Sequence, residues 1–139
     1  MQLGLCYSGG KDSTLAALLL DRFYGVTLVT AHFGVTDDWQ RARETADALG
    51  FPFAPVTMDR EVADAAVDRM LEDGYPRNGI QQVHEHALET VATMDVPGEG
   101  ADCDGFDAIA DGTRRDDRVP TISRATAQSL EDRNGVDYV

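Results

Sequence analysis

Ser8-Gly9-Gly10-Lys11-Asp12-Ser13-Thr14 holds the only lysine of the 139-residue chain and lies at a junction that indicates the class of fold. The short apolar run before it, at residues 3–7, predicts a buried strand. Residues 12–24 predict a helix, because apolar side chains recur there at helical spacing: Leu15, Leu18, Leu19 and Phe23. The stretch is therefore a glycine loop between a strand and a helix.

The composition of this loop suits a phosphate group. The N–H groups of a glycine loop and the positive end of a helix attract anions. Gly9 and Gly10 permit a close approach that a side chain would block, and Lys11 adds a mobile positive charge. Hydroxyl donors complete the set: Ser8, Ser13 and Thr14. The competing interpretation is a glycine turn that only connects the strand to the helix.

The motif is not a Walker loop, which has four residues between its first glycine and the Gly-Lys pair. Ser8-Gly9-Gly10-Lys11-Asp12-Ser13 instead resembles the PP-loop of the ATP pyrophosphatases, Ser-Gly-Gly-x-Asp-Ser/Thr. These enzymes form the adenine nucleotide alpha hydrolase-like (N-type ATPase) superfamily. The resemblance implies that ATP and Mg²⁺ are bound across the carboxyl ends of parallel strands, where open α/β sheets bind their ligands.

The rest of the chain alternates strand and helix patterns. Further strands are predicted at 26–33, 53–58, 106–110 and 136–139, and further helices from Thr36 or Asp37 to Gly50 and at 60–72, 80–94 and 121–133. This alternation predicts an α/β fold with a parallel sheet and right-handed crossovers. We expect one domain over residues 1–139, a three-layer Rossmann-like sandwich. Its five strands take the order 3-2-1-4-5 that the resemblance implies.

A second cluster of polar residues follows the strand predicted at 106–110. Its members are Gly112, Thr113, Arg114, Asp116 and Asp117. Because this strand is expected beside the first one, the cluster emerges at the same sheet edge as the glycine loop. Arginine holds phosphate oxygens and carboxylates hold Mg²⁺. PP-loop enzymes that activate tRNA bases carry a glycine followed by an aspartate pair here, which this cluster resembles. The alternative is a solvated run of charges.

The resemblance also implies a reaction. ATP is cleaved to AMP and pyrophosphate, and an acceptor is adenylated, as in tRNA thiolation or amide-forming ligases. Charge on the departing pyrophosphate must then be stabilised, and the expected catalytic residues are Lys11, Asp12, Arg114 and Asp117. The expected metal ligands are Asp12, Asp116 and Asp117. The loop residues and Gly112 and Thr113 are expected to hold the phosphates. The adenine is expected at the end of the second strand, beside His32 and Phe33.

Two alternatives to this reaction stay open. One is a nucleotide-binding module without ligase chemistry, like the universal stress proteins, although those bind phosphate with a later glycine-rich loop. The other is an ATP-binding core that needs a partner chain, because the sequence ends in a strand where PP-loop enzymes continue into acceptor-binding segments. A truncated chain and a homodimer are both compatible with these residues. The acceptor, tRNA or a small molecule, is left open.

Two histidines and two cysteines also bear on a site. His84 and His86 look like a metal pair, but positions i and i+2 point to different faces of a helix. This favours structural or surface roles, although in enzymes that the sequence resembles the helix before the fourth strand approaches the active site, which makes His84 a candidate to face substrate. Cys103 lies between two aspartates, which raise a thiol pKa and disfavour a catalytic role. Cys6 is expected to be buried in the first strand.

The net charge of −13 sets the conditions under which the chain works. Such a surface repels nucleic acid at low salt. Its acidic, nearly lysine-free composition resembles that of proteins from salt-loving archaea, and at molar salt the Debye length of about 3 Å screens repulsion, so a tRNA substrate is not excluded. No apolar run approaches the roughly 20 residues of a membrane span. With two cysteines and no leader-like N-terminus, we expect a cytoplasmic protein.

The charge yields a prediction about stability. Raising KCl to molar levels should raise the melting temperature, because screening relieves repulsion among 13 excess negative charges. Thermal unfolding followed by circular dichroism across a KCl series measures this. A flat or falling melting temperature would remove the argument for adaptation to salt.

Overall fold

Strands are followed by helices in the computed structural model, with two consecutive helices between the third and fourth strands, and the structure describes residues 1–94, 105–112 and 123–139. The strands are β1 Gln2–Cys6, β2 Gly25–His32, β3 Phe53–Thr57, β4 Ala108–Ala110 and β5 Asp137–Tyr138. The helices are α1 Lys11–Leu20, α2 Trp39–Leu49, α3 Arg60–Asp73, α4 Arg77–Thr93 and α5 Arg124–Asn134.

The five strands form one parallel sheet in the order β3-β2-β1-β4-β5. The predicted α/β class, parallel pairing and strand order are confirmed. β1 lies at the centre, with Leu5 paired to Leu28 of β2 on one side and to Ala110 of β4 on the other. The carboxyl ends of these strands therefore meet at one sheet edge, which is where the glycine loop begins.

Each face of the sheet carries its own core. On one face, Leu3 and Leu5 of β1 pack with Leu28 of β2 and with small residues of α1 and α2, among them Ala17 and Ala46. On the other face, Val29 and Ile109 pack against α4 and α5 in a second cluster: Leu88, Val91, Ala92, Phe106, Leu130 and Val136. Because both faces are covered by helices, the strands are buried on both sides and read as continuous apolar runs. The predicted three-layer sandwich is confirmed.

Two glycines let elements approach each other closely. A Cβ at Gly4 in the central strand would lie 2.6 Å from Val91 Cγ1 of α4 and 2.7 Å from the Phe106 ring. A Cβ at Gly79 would lie 2.5 Å from Met70 Cγ and 2.6 Å from the Ala66 carbonyl oxygen of α3. The helix predicted at 80–94 already begins at Arg77, and Gly79 in its first turn is buried against α3.

The helix predicted at residues 12–24 is present, but it ends at Leu20 and faces differently from its apolar pattern. Ser13 and Ala17 are the buried residues of α1. The four large apolar side chains that define its spacing are exposed: Leu15, Leu18, Leu19 and Phe23. The small residues of α1 therefore face the sheet, and the larger apolar residues face outward.

Smaller differences concern the ends of elements. The helix predicted from Thr36 or Asp37 begins at Trp39, with Asp38 at its N-cap position. Gly50 ends that helix in the left-handed conformation, as predicted, with φ of 79°. The strand predicted at 106–110 starts at Ala108. Within the part of the chain that the structure describes, no helix has both the length and the apolar character required to cross a bilayer.

The close contact at Gly4 generates a prediction. Gly4→Ala should lower the free energy of unfolding by about 1–3 kcal/mol, because the methyl group overpacks against Val91 and Phe106. Gly25→Ala is the matched control. Its Cβ would meet only the mobile end of the Gln2 side chain, at 2.9 Å. Urea denaturation of both variants measures the difference, and equal effects would contradict the packing of α4 on β1.

Candidate functional site

The loop between β1 and α1 is held by its own hydroxyl groups. Ser8 Oγ lies 3.1 Å from Ser13 Oγ and accepts a hydrogen bond from the Gly10 N–H at 3.3 Å. Ser13 Oγ also lies 3.3 Å from the Gly10 carbonyl oxygen, to which it can donate. Gly9 has φ of 80°, a left-handed conformation that favours glycine. The loop conformation is thus fixed before any ligand arrives.

A second set of hydrogen bonds ties the loop to its surroundings. The Tyr7 hydroxyl lies 3.0 Å from Thr14 Oγ1, and Thr30 Oγ1 of β2 donates to the Tyr7 carbonyl oxygen at 2.7 Å. Thr14, predicted to bind phosphate, therefore has its hydroxyl engaged with Tyr7. The roles of Tyr7 and Thr30 were not predicted, because their partners are set by neighbouring strands rather than by the motif.

Lys11 and Asp12 open the first turn of α1. Lys11 is exposed and Asp12 is half-buried. Gly10 occupies the N-cap position, and no side chain caps the helix there. The first N–H groups of α1 therefore have no side-chain acceptor from the cap, and the helix end is suited to an anion.

The end of β4 contacts the start of α1 backbone to backbone. A Cβ at Gly112 would lie 3.0 Å from the Ser13 nitrogen and 3.3 Å from the Ser13 Cα. The structure therefore brings Gly112 beside the glycine loop, as expected from the strand order. The other predicted members of this cluster lie outside the described residues: Thr113, Arg114, Asp116 and Asp117.

A cavity of about 560 Å³ joins these elements. Its walls include the loop residues Ser8, Gly10, Lys11, Asp12 and Ser13, together with Asp111 and Gly112 after β4 and Val83, His84, Ala87 and Leu88 of α4. A volume of this size fits a nucleotide-sized ligand. His84 lines this cavity, whereas His86 lines a separate groove beside Glu61 and Arg133. The expectation that the two histidines point to different sides is confirmed.

Cys6 and Asp111 form a wall of the cavity that the motif did not reveal. The Tyr138 hydroxyl of β5 donates to Asp111 Oδ1 at 2.7 Å. Burial raises the pKa of the Cys6 thiol to about 12, and the negative charge of Asp111 adds to this rise. Cys6 was expected to be buried, and it is partly buried at the cavity wall. Its thiol is therefore protonated at neutral pH and a poor nucleophile.

A second cavity of about 390 Å³ lies beside the first and shares Ser8, Thr30 and Ala31 with it. Its walls include the predicted adenine-binding residues His32 and Phe33, together with Trp39. The His32 and Trp39 rings stack, with centroids 5.5 Å apart.

The aromatic wall of the second cavity is extended by a cation. The Arg43 guanidinium lies 5.1 Å from the centroid of the Trp39 ring and 5.6 Å from that of Phe53. A cation at such distances over an aromatic face is attracted to it. Trp39 and Arg43 were not predicted to belong to the site. The sequence pattern does not show that they lie near His32, because only the fold brings α2 beside the end of β2.

The predicted metal site is incomplete in the described residues. Of its three aspartates, Asp12 lines the cavity, whereas Asp116 and Asp117 lie outside these residues. Across residues 1–94, 105–112 and 123–139, no group of three or more histidine, cysteine or acidic side chains is arranged to hold a metal ion. The Mg²⁺ site stays a prediction.

A protein-family model matches residues 1–139, the full length of the chain. The chain belongs to the family of unknown function DUF7411. This DUF7411 protein is 41% identical, over 140 aligned residues, to the uncharacterized protein MJ0690 of Methanocaldococcus jannaschii. It covers 64% of that relative.

A solved structure is also similar over the whole chain. The crystal structure of a predicted subunit of tRNA methyltransferase from Methanocaldococcus jannaschii matches with a TM-score of 0.83 and 40% sequence identity. The match covers 100% of the DUF7411 chain and 66% of the other. The chain thus spans just under two thirds of the length of both relatives.

The comparison corrects the predicted reaction. Cleavage of ATP to AMP and pyrophosphate with adenylation of an acceptor is contradicted, because the similar solved protein is described as a predicted tRNA methyltransferase subunit and not as a pyrophosphatase or ligase. The error has a physical reason. A glycine loop with a lysine specifies an anion, and the reaction that follows depends on groups outside the loop.

The environment of Cys6 generates a prediction. In a Cys103→Ser background, the Cys6 thiol of the folded protein should not react with a disulfide reagent at pH 8, because its pKa of about 12 leaves almost no thiolate. Release of the coloured thiol product measures this, and urea-unfolded protein is the control that must react. Rapid reaction of the folded protein would contradict the environment assigned to Cys6.

The raised pKa of Cys6 also predicts how the stability of the folded protein depends on pH. The pKa is raised from its ordinary 9.0 to about 12, so the protonated thiol stabilises the folded state, fully below pH 9. This contribution is lost as the pH rises from 9 towards 12. The free energy of unfolding of Cys103→Ser, compared across this pH range with that of the double variant Cys6→Ala, Cys103→Ser, separates the contribution of Cys6 from those of other titrating groups.

Proposed function

We propose that this chain is an ATP-binding core that acts together with a partner chain in an assembly that modifies tRNA. The observation that carries the proposal is the cavity at which the glycine loop, the start of α1 and Gly112 meet. The known relatives suggest the assembly, since the similar solved protein is described as a subunit of a tRNA methyltransferase.

The ligand is a nucleotide with a phosphate chain. Lys11 is the only lysine of the chain. Its ammonium group lies at the start of α1, where no side chain caps the helix. Both features stabilise negative charge at the same place. The loop hydroxyls already satisfy each other, so they hold the backbone N–H groups in position rather than reorganise around the ligand. The phosphate part of ATP belongs in this cavity, with Mg²⁺ as its counter-ion.

The base belongs in the second cavity. The two cavities share Ser8, Thr30 and Ala31, so one molecule can reach from the phosphate loop to the stacked rings of His32 and Trp39. A nucleobase gains stacking contacts with aromatic side chains. This division supports the adenine position that the PP-loop resemblance implies at the end of β2.

A partner chain is part of the proposal because of charge. The chain carries a net charge of −13, which opposes binding of a polyanion. A tRNA-modifying assembly built on this chain therefore needs cationic surface from elsewhere. The description of the similar solved protein as a subunit fits this need.

The proposal predicts how one substitution affects binding. Lys11→Ala should weaken ATP binding by about tenfold or more, because one charge-assisted contact to phosphate is lost. Arg22→Ala is the matched control, since it removes the same charge from an exposed residue beyond the other end of α1 and should leave the affinity within about twofold. Isothermal titration calorimetry with Mg²⁺-ATP in molar KCl measures both.

Two results of this titration would contradict the proposal. Equal effects of the two substitutions, or no ATP binding, would remove Lys11 and the cavity from the function. S-adenosylmethionine is the informative competitor, because a methyltransferase subunit has a reason to bind it. It carries a positive sulfonium and a single carboxylate but no phosphate chain, so Lys11 should contribute less to its binding than to that of ATP. Displacement of ATP by S-adenosylmethionine at similar concentration would replace the phosphate assignment with a methyl-donor site.

A further inference from the structure

Four large apolar side chains form an exposed stripe, with three leucines on the outer face of α1 and Phe23 in the turn that follows the helix. Leu15, Leu18, Leu19 and Phe23, here called the α1 stripe, are 53%, 49%, 53% and 78% exposed. The spacing of i, i+3 and i+4 places Leu15, Leu18 and Leu19 on one side of the helix, and Phe23 follows three residues after the helix ends at Leu20. The opposite side of α1, with Ser13 and Ala17, is the one that meets the sheet.

We propose that the α1 stripe is the contact surface of a two-fold symmetric homodimer of this chain. Together the four side chains leave roughly 400 Å² of apolar surface exposed, a size at which patches on a single chain are often functional. Two copies bury roughly 800 Å² through the stripe alone, and the polar flanks of α1 bring the total towards the ~1,200 Å² of a small specific interface.

The distribution of charge favours a second copy at this place. Residues 13–20 carry no charge, in a chain whose net charge is −13. Lys11 and Asp12 stand before this segment, and Asp21 and Arg22 follow it, so each end is neutral overall. Two acidic chains can therefore meet along α1 without placing like charges against each other, which is a condition that a homodimer of this protein must satisfy.

The pattern also suits two-fold symmetry. In such an interface the same patch contacts itself, so a self-complementary surface is required. Leu18 and Leu19 lie in the middle of the stripe and contact their own counterparts when two α1 helices cross there. Leucine ridges of this spacing pack into the grooves of an identical helix at a crossing angle of about 50°.

Salt dependence follows from the same charges. Repulsion between two chains of −13 acts over the whole surface, and molar salt screens it, whereas the apolar contact is not weakened by salt. The homodimer should therefore tighten as KCl rises, unlike an association held by ion pairs.

Sedimentation equilibrium in about 2 M KCl tests the proposal. The wild-type chain should be dimeric, and Leu18→Glu should weaken dimerisation by at least about a hundredfold, because each copy then places an unpaired carboxylate in an apolar contact. Leu71→Glu is the matched control. Leu71 is 76% exposed on α3, so this variant adds the same charge on an unrelated surface and should stay dimeric.

Each result decides the question. A monomeric wild type at high protein concentration overturns the homodimer, and so does a dimer that Leu18→Glu leaves intact or that Leu71→Glu disrupts equally. Circular dichroism of both variants establishes that they fold. Leu18→Ala, which adds no charge, should weaken the dimer less than Leu18→Glu does. ATP binding by the Leu18→Glu monomer keeps this test separate from that of the nucleotide cavity.

Discussion

The contact of the Gly112 backbone with the first turn of α1 is the constraint on which the site depends. A Cβ at this glycine would lie 3.0 Å from the Ser13 nitrogen, so only glycine fits without a shift. Because the contact joins two backbones, it fixes the end of β4 against the glycine loop whatever the side chains do. The hydroxyl pairs Ser8–Ser13 and Tyr7–Thr14 then hold the loop in one conformation. A ligand that enters this cavity meets a preorganised wall, which lowers the entropic cost of binding.

The sequence was sufficient to predict the sheet and to predict that Gly112 lies beside the glycine loop, and particular residues show why other contacts were not predicted. Alternating strand and helix patterns, with the motif resemblance, specified the five-stranded order. Periodicity also found the apolar stripe of α1, but it cannot tell whether another element covers a stripe. Asp111 and Tyr138 are 27 residues apart, and the hydrogen bond between them exists only because β4 and β5 are neighbours. The stack of His32 on Trp39 likewise depends on how α2 returns over β2.

The contradicted reaction marks a limit of local motifs. The composition of the glycine loop and the start of α1 indicates only where a concentrated negative charge would be stabilised. Which bond is then broken depends on the acceptor and on groups that approach from other segments or other chains. The proposal that Lys11 binds an anion therefore has a physical reason, whereas its part in a chemical step cannot be read from the loop. Cys6 shows the same limit of local reasoning. It lies at the cavity wall, but its raised thiol pKa makes it a poor nucleophile.

Trp39 gives this chain an optical property that follows from its position. It is the single tryptophan, and it lines the second cavity, beside the glycine loop, with its ring stacked on His32. All indole emission of the protein therefore originates at one point on a cavity wall. Its wavelength reports how much water that cavity holds, and its intensity reports the distance to the imidazole ring. The protein thus carries a native fluorophore at the place where a base would stack, and occupancy of that place can be followed without a label.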